Sequence, residues 1–345
     1  MRARALMQNL IKPLHDETLS SWLSRNATNA YVAQMHSDFL NDCRGMAKLG
    51  GGGDVDSLYE HKAFMSLFPE RNQQALAATF ILPAPTVNHS RSLNYCPQCL
   101  ADDIASMHAP AWRRAWRSRG NCFCVAHEDM VLLQRLPVAS KDQMGRAWLA
   151  FSQHAVTGNF IFGNHFTQRL TSLSDTGSVE QRLCRIVWRV MRWVNSAAER
   201  PTNARPSIYC LEFLLGFFLY RPFYRCKGGV GQWFWSAGRA AMENSMLPFR
   251  SPTMAELTAG VEMSLPRDVA LSYLFIGCAY GLLSSQDVKF ISRVLYFTNS
   301  PFPKDAGELR ALAVCFQSYH LLEFRRLASR HLYAGDVKHL HWLFG

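Results

Sequence analysis

Apolar residues recur at helical spacing along most of the chain, and polar or glycine-rich turns separate the helical stretches. Asp16 is expected to cap a first helix whose apolar face is formed by Leu19, Trp22, Leu23 and Ala30. Residues 50–53 are all glycine and are expected to form a surface loop, with Asp54 as a candidate cap for the next helix. The pattern predicts a helical amino-terminal domain of helix-turn-helix character over residues 1–90.

Capping signals also place helices in the carboxy-terminal part. Thr253 and Glu256 have the spacing of a capping box, and Ser284 is a candidate cap for a later helix. Apolar residues at steps of about three predict one long helix over residues 306–332. We therefore expect a mainly α protein with a helical carboxy-terminal domain over residues 138–345 and a small cysteine-bearing module over residues 91–137.

Charge and hydropathy narrow the class of protein. The 345 residues include 37 basic and 26 acidic side chains, and the net charge of +11 favours nucleic acid, an acidic protein or an anionic membrane surface as a partner. Residues 1–13 lack the apolar core of a signal peptide, and no apolar run reaches the roughly 20 residues of a membrane span. We expect a cytoplasmic protein without a membrane partner.

Four of the ten cysteines are clustered in the sequence. The others are expected to be buried, reduced side chains: Cys43, Cys184, Cys210, Cys226, Cys278 and Cys315. In the cluster, Cys96 and Cys99 are spaced Cys-x-x-Cys, and Cys124 and His127 repeat the two-residue gap. Two such pairs suit one tetrahedral zinc ion with no open position for water, so a small zinc-ribbon or knuckle module with a structural zinc ion is predicted.

Two alternatives stay open for this cluster. A Cys-x-x-Cys pair is also found in redox proteins, which do not normally carry a second pair downstream. Cys122 is a second candidate for the third ligand, although the spacing to His127 favours Cys124.

Basic residues are concentrated in two segments. Between the ligand pairs, Trp112 and Trp116 are expected to pack the small module, while four arginines either contact phosphates or are solvated. These arginines are Arg113, Arg114, Arg117 and Arg119. Over residues 180–195 an apolar helix face is opposite a second set, which is either a nucleic-acid or acidic-protein surface or a solvated face. This set is Arg182, Arg185, Arg189 and Arg192.

The segment 253–300 is less basic than the rest of the chain. Its three basic residues, Arg267, Lys289 and Arg293, are outnumbered by four acidic ones. Packing or protein binding is therefore expected there, because a DNA-reading surface should be clearly positive.

Two segments together resemble the TniQ family of transposition proteins. The first is residues 13–25, PLHDETLSSWLSR, which contains the family's proline, Glu-Thr-Leu step and Ser-Trp-Leu helix. The second runs Tyr95-Cys96-Pro97-x-Cys99-Leu100, then Trp112-Arg113 and Trp116, then Cys124-x-x-His127 and Leu132. They cover about the first 135 residues, and their joint occurrence is more specific than either alone.

The resemblance implies a ligand set and a functional class. Cys96, Cys99, Cys124 and His127 correspond to the family's zinc ligands. Many members carry a further cysteine pair soon after the first, but no cysteine lies between Cys124 and Cys184, so a single zinc ion is expected. The sequence has no paired carboxylate motif, nucleophile elbow or open metal site, and a protein that is not an enzyme is expected.

Partners are also implied by the resemblance. Family members shorter than the TnsD type act as adaptors, some as a homodimer on the RNA-guided Cascade complex of CRISPR-associated transposons, and both types are thought to recruit the AAA+ regulator TnsC. We therefore expect a target-selection adaptor that contacts a TnsC-like ATPase, Cascade subunits with guide RNA, and DNA. The alternative is a TnsD-type protein that recognises an attachment site in DNA directly.

Overall fold

The architecture is mostly helical, in agreement with the predicted fold class. A computed structural model describes residues 10–49, 54–87, 91–127, 130–136, 144–157, 176–221, 228–234, 251–295, 301–314 and 318–345. The chain divides into two compact units, one within residues 1–126 and 133–162 and the other within residues 127–132 and 163–345. The predicted three-domain division at residues 90 and 137 stays a prediction.

The first unit begins with three consecutive helices, α1 (Leu19–Thr28), α2 (Ala30–Met35) and α3 (Ser37–Leu49). The cap of α1 is Thr18, whose Oγ1 accepts the backbone N–H of Ser21, so the prediction of Asp16 as the cap is wrong. Asp16 has a φ of 58°, a left-handed conformation that an aspartate tolerates. Its carboxylate accepts the backbone N–H of Ala115 at 3.0 Å instead.

Short helices complete the amino-terminal part of this unit. A 3-10 turn (Val55–Glu60) is capped by Asp54, as predicted, and leads to α4 (Lys62–Met65) and α5 (Glu70–Phe80). The glycine run at 50–53 lies outside the described residues. The core includes Leu19, Trp22, Leu23, Phe39, Phe64, Phe68 and Phe80. Leu19, Trp22 and Leu23 of the predicted apolar face are buried, whereas the prediction is wrong for Ala30, which is exposed and begins α2.

The cysteine-bearing region combines one helix with very short strands. Its elements are β1 (Asn94–Tyr95), α6 (Pro97–Ala105), a 3-10 turn (Arg114–Arg117), β2 (Phe123–Cys124), β3 (Val131–Leu132), β4 (Gln134–Arg135) and α7 (Arg146–Thr157). β1 pairs antiparallel with β4, with Asn94 opposite Arg135, and β2 pairs with β3.

Apart from β3, the described elements of the second unit are helices. They are α8 (Thr176–Asn195), α9 (Ile208–Leu219), α10 (Val230–Trp233), α11 (Met254–Met263), α12 (Pro266–Ala279), α13 (Ser285–Val294), α14 (Ala306–Ala313), α15 (Ser318–His331), α16 (Ala334–His339) and α17 (His341–Phe344). The predicted capping box at Thr253 is confirmed, and Ser284 caps α13 as predicted. The single long helix over residues 306–332 is wrong, because α14 ends at Ala313 and a separate helix begins at Ser318.

Close helix packing forms the core of the second unit. α12 is buried along most of its length, and α9 buries Phe213, Phe217 and Phe218. α9 and α11 approach closely at two glycines: Gly216 faces Leu257, and Gly260 faces the Leu219 carbonyl. Among the described helices, none combines the length and apolar composition of a membrane span.

Candidate metal centre

Four side chains separated in sequence converge in the cysteine-bearing region. One ligand atom from each of Cys96, Cys99, Cys124 and His127 lies within 4.8 Å of the others. The three cysteines are buried and the histidine is half-buried. The Sγ atoms of Cys99 and Cys124 are 3.4 Å apart. The four predicted ligand residues are thus brought together, with Cys124 in the group and Cys122 outside it.

Local backbone structure explains why the first pair converges. Cys96 is the N-cap of α6, and its Sγ accepts the backbone N–H of Cys99 at 3.5 Å. Pro97 occupies the first turn, where its missing N–H costs nothing. A Cys-x-x-Cys segment at a helix start therefore turns both sulfurs toward one point.

The second pair is held by the turn that follows β2. Leu133 donates its backbone N–H to the Cys122 carbonyl at 2.9 Å, and Met130 donates to the His127 carbonyl at 3.1 Å. The first contact returns the chain beside Cys124, and the second closes the turn that carries the imidazole.

The donor set fits a single tetrahedral ion. With metal–sulfur distances of about 2.3 Å, tetrahedral ligand atoms lie about 3.8 Å apart. The separations here lie around that value, from 3.4 Å between two sulfurs to a limit of 4.8 Å for the set, so small side-chain rotations place all four on one centre. Thiolate and imidazole are the ligands that zinc and similar soft or borderline cations prefer.

Without a metal, the thiols favour their protonated form. The hydrogen bond with Cys124 is the main cause that raises the pKa of Cys96, and it also raises the pKa of Cys99 to about 12, with burial adding to both shifts. The convergence of a third thiol and an imidazole on the Cys-x-x-Cys pair favours metal binding over the redox alternative. A cation that binds here must displace protons, and its affinity increases with pH.

The tryptophans between the ligand pairs pack inside the first unit, as predicted. Trp112 and Trp116 are each 2% exposed, and their rings meet edge to face at 5.4 Å. The ring of Tyr95, which precedes the first ligand, is 6.2 Å from that of Trp112. The segment between the ligand pairs therefore contributes hydrophobic volume that a small metal module lacks by itself.

This segment is also bonded to the start of the chain. Thr18 donates its backbone N–H to the Trp112 carbonyl at 2.9 Å, and Arg114 donates to the Asp16 carbonyl at 2.7 Å. The Trp112 backbone N–H is bonded to Ser21 Oγ at 2.9 Å. The two segments that carry the family resemblance are therefore in direct contact.

Three of the four arginines of this segment, Arg113, Arg114 and Arg117, have acidic partners within the protein. Arg113 pairs with Asp103, and Arg114 pairs with Asp16 at 3.2 Å. Arg113, Arg114 and Arg119 are half-buried.

Arg117 fits neither of the two alternatives considered for these arginines, a phosphate contact or a solvated side chain. Its side chain is 0% exposed and is paired with both Asp54 and Asp56, so its guanidinium is not presented to an external phosphate. No sequence signal identified these partners, because they precede Arg117 by 63 and 61 positions.

The arginines of α8 lie on the surface of the second unit. All four are exposed and lie opposite buried Leu183, Val187 and Val190. Arg189 Nη2 is 2.7 Å from Asp287 Oδ2, and the Arg182 guanidinium lies 4.0 Å from the centre of the Phe290 ring. Sequence reasoning missed these partners on α13, since nothing local to α8 indicates them.

The scattered cysteines are buried where the structure describes them. Cys43, Cys184, Cys210 and Cys278 are all buried, as predicted, and burial raises the pKa of Cys43 to about 12. Cys226 and Cys315 lie outside the described residues.

Comparison with known proteins adds one match. Residues 10–130 match the family model described as TniQ, a range that includes residues 13–25 and all four candidate ligands. No curated protein and no solved structure matches the chain.

Proposed function

We propose that this protein, whose residues 10–130 form a TniQ domain, is a target-selection adaptor in DNA transposition. The domain itself implies a function associated with transposition, and proteins of this family act as adaptors. The contact between residues 13–25 and the segment that links the ligand pairs carries the proposal, because both parts of the family pattern belong to one packed site.

The metal of this site is proposed to be one structural zinc ion. Cys96 and Cys99 would bind it from the start of α6, while Cys124 and His127 would bind it from β2 and the following turn. Four protein ligands leave no position for water, so such an ion stabilises the fold and supplies no catalytic chemistry.

Metal analysis of the purified full-length chain tests the ligand set. We expect about one zinc per chain, lost in Cys96→Ser and retained in Cys122→Ala. The second variant is the matched control, because Cys122 is equally buried and adjacent to the site but outside the group of four. Equal zinc content in the unchanged protein and Cys96→Ser, or loss only in Cys122→Ala, would contradict the assignment.

The proposed partners are a TnsC-like AAA+ ATPase on one side and a target-bound complex on the other. The target-bound complex is proposed to be Cascade with its guide RNA, contacted by a homodimer of this chain. The support is the TniQ domain, since the family's shorter members link these two kinds of assembly.

A reconstituted transposition assay tests the adaptor role. With transposase, ATPase and guide-loaded Cascade, we expect insertion at the guided target only when this chain is present. Guided insertion without the chain would contradict the proposal. Selective binding of one attachment-site duplex by the chain alone, with steep salt dependence, would establish the TnsD-type alternative. Cleavage or other turnover of DNA by the isolated chain would overturn the non-enzymatic assignment.

A further inference from the structure

We propose that α8 and α13 together form a surface that binds the phosphate backbone of duplex DNA. The choice of DNA rests on the proposed function, whereas the surface itself is defined by the structure. Six exposed cations form this α8–α13 surface: Arg182, Arg185, Arg189, Arg192, Lys289 and Arg293.

Two contacts hold α13 beside the arginines of α8. One is the ion pair of Arg189 with Asp287, and the other places the Arg182 guanidinium over the Phe290 ring. Arg293 lies one helical turn after Phe290, on the side of α13 that receives Arg182. Lys289 lies one turn before Arg293, so these two cations share a face and extend the basic surface of α8.

The acidic residues of segment 253–300 do not neutralise this surface. Glu262 and Asp268 are buried, and Glu256 belongs to the capping box of α11. Asp287 is 9% exposed and bonded to Arg189. The acidic and basic residues of segment 253–300 are therefore separated in the fold. The acidic side chains are buried or bonded, whereas Lys289 and Arg293 of α13 are exposed.

Most of the surface cations have no partner in the protein. In the described part of the chain, the side chains of Arg185, Arg192, Lys289 and Arg293 make no hydrogen bond or ion pair. α8 contains a single acidic residue, Glu180, which is half-buried. Like charges held together on a helix face repel one another, and bound phosphates would remove that repulsion.

The dimensions and chemistry suit a DNA strand. The arginines from Arg182 to Arg192 extend over about 15 Å at 1.5 Å per residue, a length over which a DNA strand presents several phosphates. Arginine donates paired hydrogen bonds that match phosphate oxygens. The Arg182 guanidinium lies over the Phe290 ring and Trp188 is half-buried, so these two rings are less open to the bases of a single strand than the arginines are to phosphates.

Fluorescence anisotropy with a labelled duplex of arbitrary sequence tests the surface. In the full-length chain, Arg185→Ala/Arg192→Ala and Lys289→Ala/Arg293→Ala are each expected to weaken binding about tenfold to a hundredfold at ~0.1 M salt. Each pair should also lower the slope of log Kd against log salt by about two. Arg325→Ala/Lys338→Ala is the matched control, because it removes two exposed cations from α15 and α16.

Two controls distinguish the loss of this surface from a change in net charge and from misfolding. Far-ultraviolet circular dichroism should be unchanged in all three variants, since these residues are exposed. Equal weakening in the control would mean that binding follows net charge, and unchanged binding in the α8 and α13 variants would exclude the surface. Preference for a single strand or for polyglutamate would also overturn the proposal. Guided insertion by a variant that has lost duplex binding would leave the adaptor role intact and would make this surface dispensable for it.

Discussion

A buried cation holds together three parts of the first unit. Arg117 reaches Asp54 and Asp56, while Asp56 also accepts the backbone N–H of Ser20 at 2.6 Å. A further hydrogen bond joins the Arg117 guanidinium to the Val87 carbonyl at 3.0 Å. The start of α1, the 3-10 turn at residues 55–60 and the segment between the ligand pairs therefore meet at this one guanidinium.

Removing this guanidinium should destabilise the protein strongly. Arg117→Ala leaves two carboxylates without their cation, and we expect the free energy of unfolding to fall by about 3–5 kcal/mol. Arg114→Ala is the comparison, because its pair with Asp16 is partly exposed and should contribute about 1 kcal/mol or less. Urea unfolding measures both variants, and equal losses would contradict the structural role of Arg117.

Sequence predicts metal ligands better than it predicts ion pairs. The four ligands were identifiable because Cys-x-x-Cys and Cys-x-x-His are local spacings. Arg117 and Asp54 are brought together only by the folded chain, so the same arginine looked equally suited to a phosphate. Whether an arginine pairs within the protein or is free to bind a phosphate depends on the acidic side chains beside it in the fold. Those side chains can be far away in the sequence.

Two helix starts in the second unit were predicted from local chemistry, whereas the cap of α1 and the end of α14 were not. Thr253 and Ser284 cap their helices through side chains that reach the following turn. α14 ends at Ala313 although Leu309, Leu312 and Phe316 keep helical spacing across the break. Apolar periodicity records which positions are buried, and two consecutive helices on the same core can continue a single pattern.

The packing of α9 against α11 depends on a glycine. A Cβ atom on Gly260 would lie 2.7 Å from the Leu219 carbonyl oxygen and 2.8 Å from the Tyr220 Cα. Both are backbone atoms, which cannot rotate away as a side chain would. The two helices must therefore separate to accept any larger residue at this position.

Alanine should have opposite effects at two helical glycines. Gly260→Ala is expected to lower the free energy of unfolding by about 1–3 kcal/mol, because steric overlap outweighs the gain in helix propensity. Gly45→Ala in α3 is the matched control, since a Cβ there meets nothing within 4 Å, and stability should rise by up to about 1 kcal/mol. Thermal or urea unfolding distinguishes them, and a stabilised Gly260→Ala protein would refute the close approach.

The stability of the whole molecule should depend on pH through buried carboxylates. Burial raises the pKa of Asp268 from 3.8 to about 6, although Arg267 lies nearby and opposes the shift. The folded state therefore binds this proton more tightly than the unfolded state does. Its contribution to stability decreases as pH rises from about 4 to about 6 and is constant above that range.

Asp268→Asn should remove this dependence. The difference between the two pKa values corresponds to about 3 kcal/mol, so the variant should gain up to this amount at pH 7 and little at pH 3. Asp287→Asn should show the reverse: burial raises the pKa of Asp287, but hydrogen bonds from Ser284 and Arg189 lower it below its ordinary value. Unfolding at a series of pH values tests both signs, and an Asp268→Asn protein less stable at pH 7 would contradict the first.

Across the whole chain, the sequence predicted structure and function best where the informative residues are close together in the sequence. The family match stops at residue 130, three residues after the last candidate ligand, His127. Beyond it, hydrophobic spacing indicated helices but not which helices are neighbours. The position of α13 beside α8 depends on contacts between side chains almost a hundred residues apart, such as Arg189 and Asp287.

The contact between residues 13–25 and residues 110–118, in the segment between the ligand pairs, limits how relatives of this protein can recombine. Side chains as well as backbone groups form this contact: the Asp16 carboxylate accepts the Ala115 N–H and pairs with Arg114, and Ser21 Oγ accepts the Trp112 N–H, so each segment depends on residues of the other. A chimera that takes its first helix from one parent must inherit residues 110–118 from the same parent. The functional crossover points are therefore expected outside residues 10–130, with the whole domain exchanged as one inherited block.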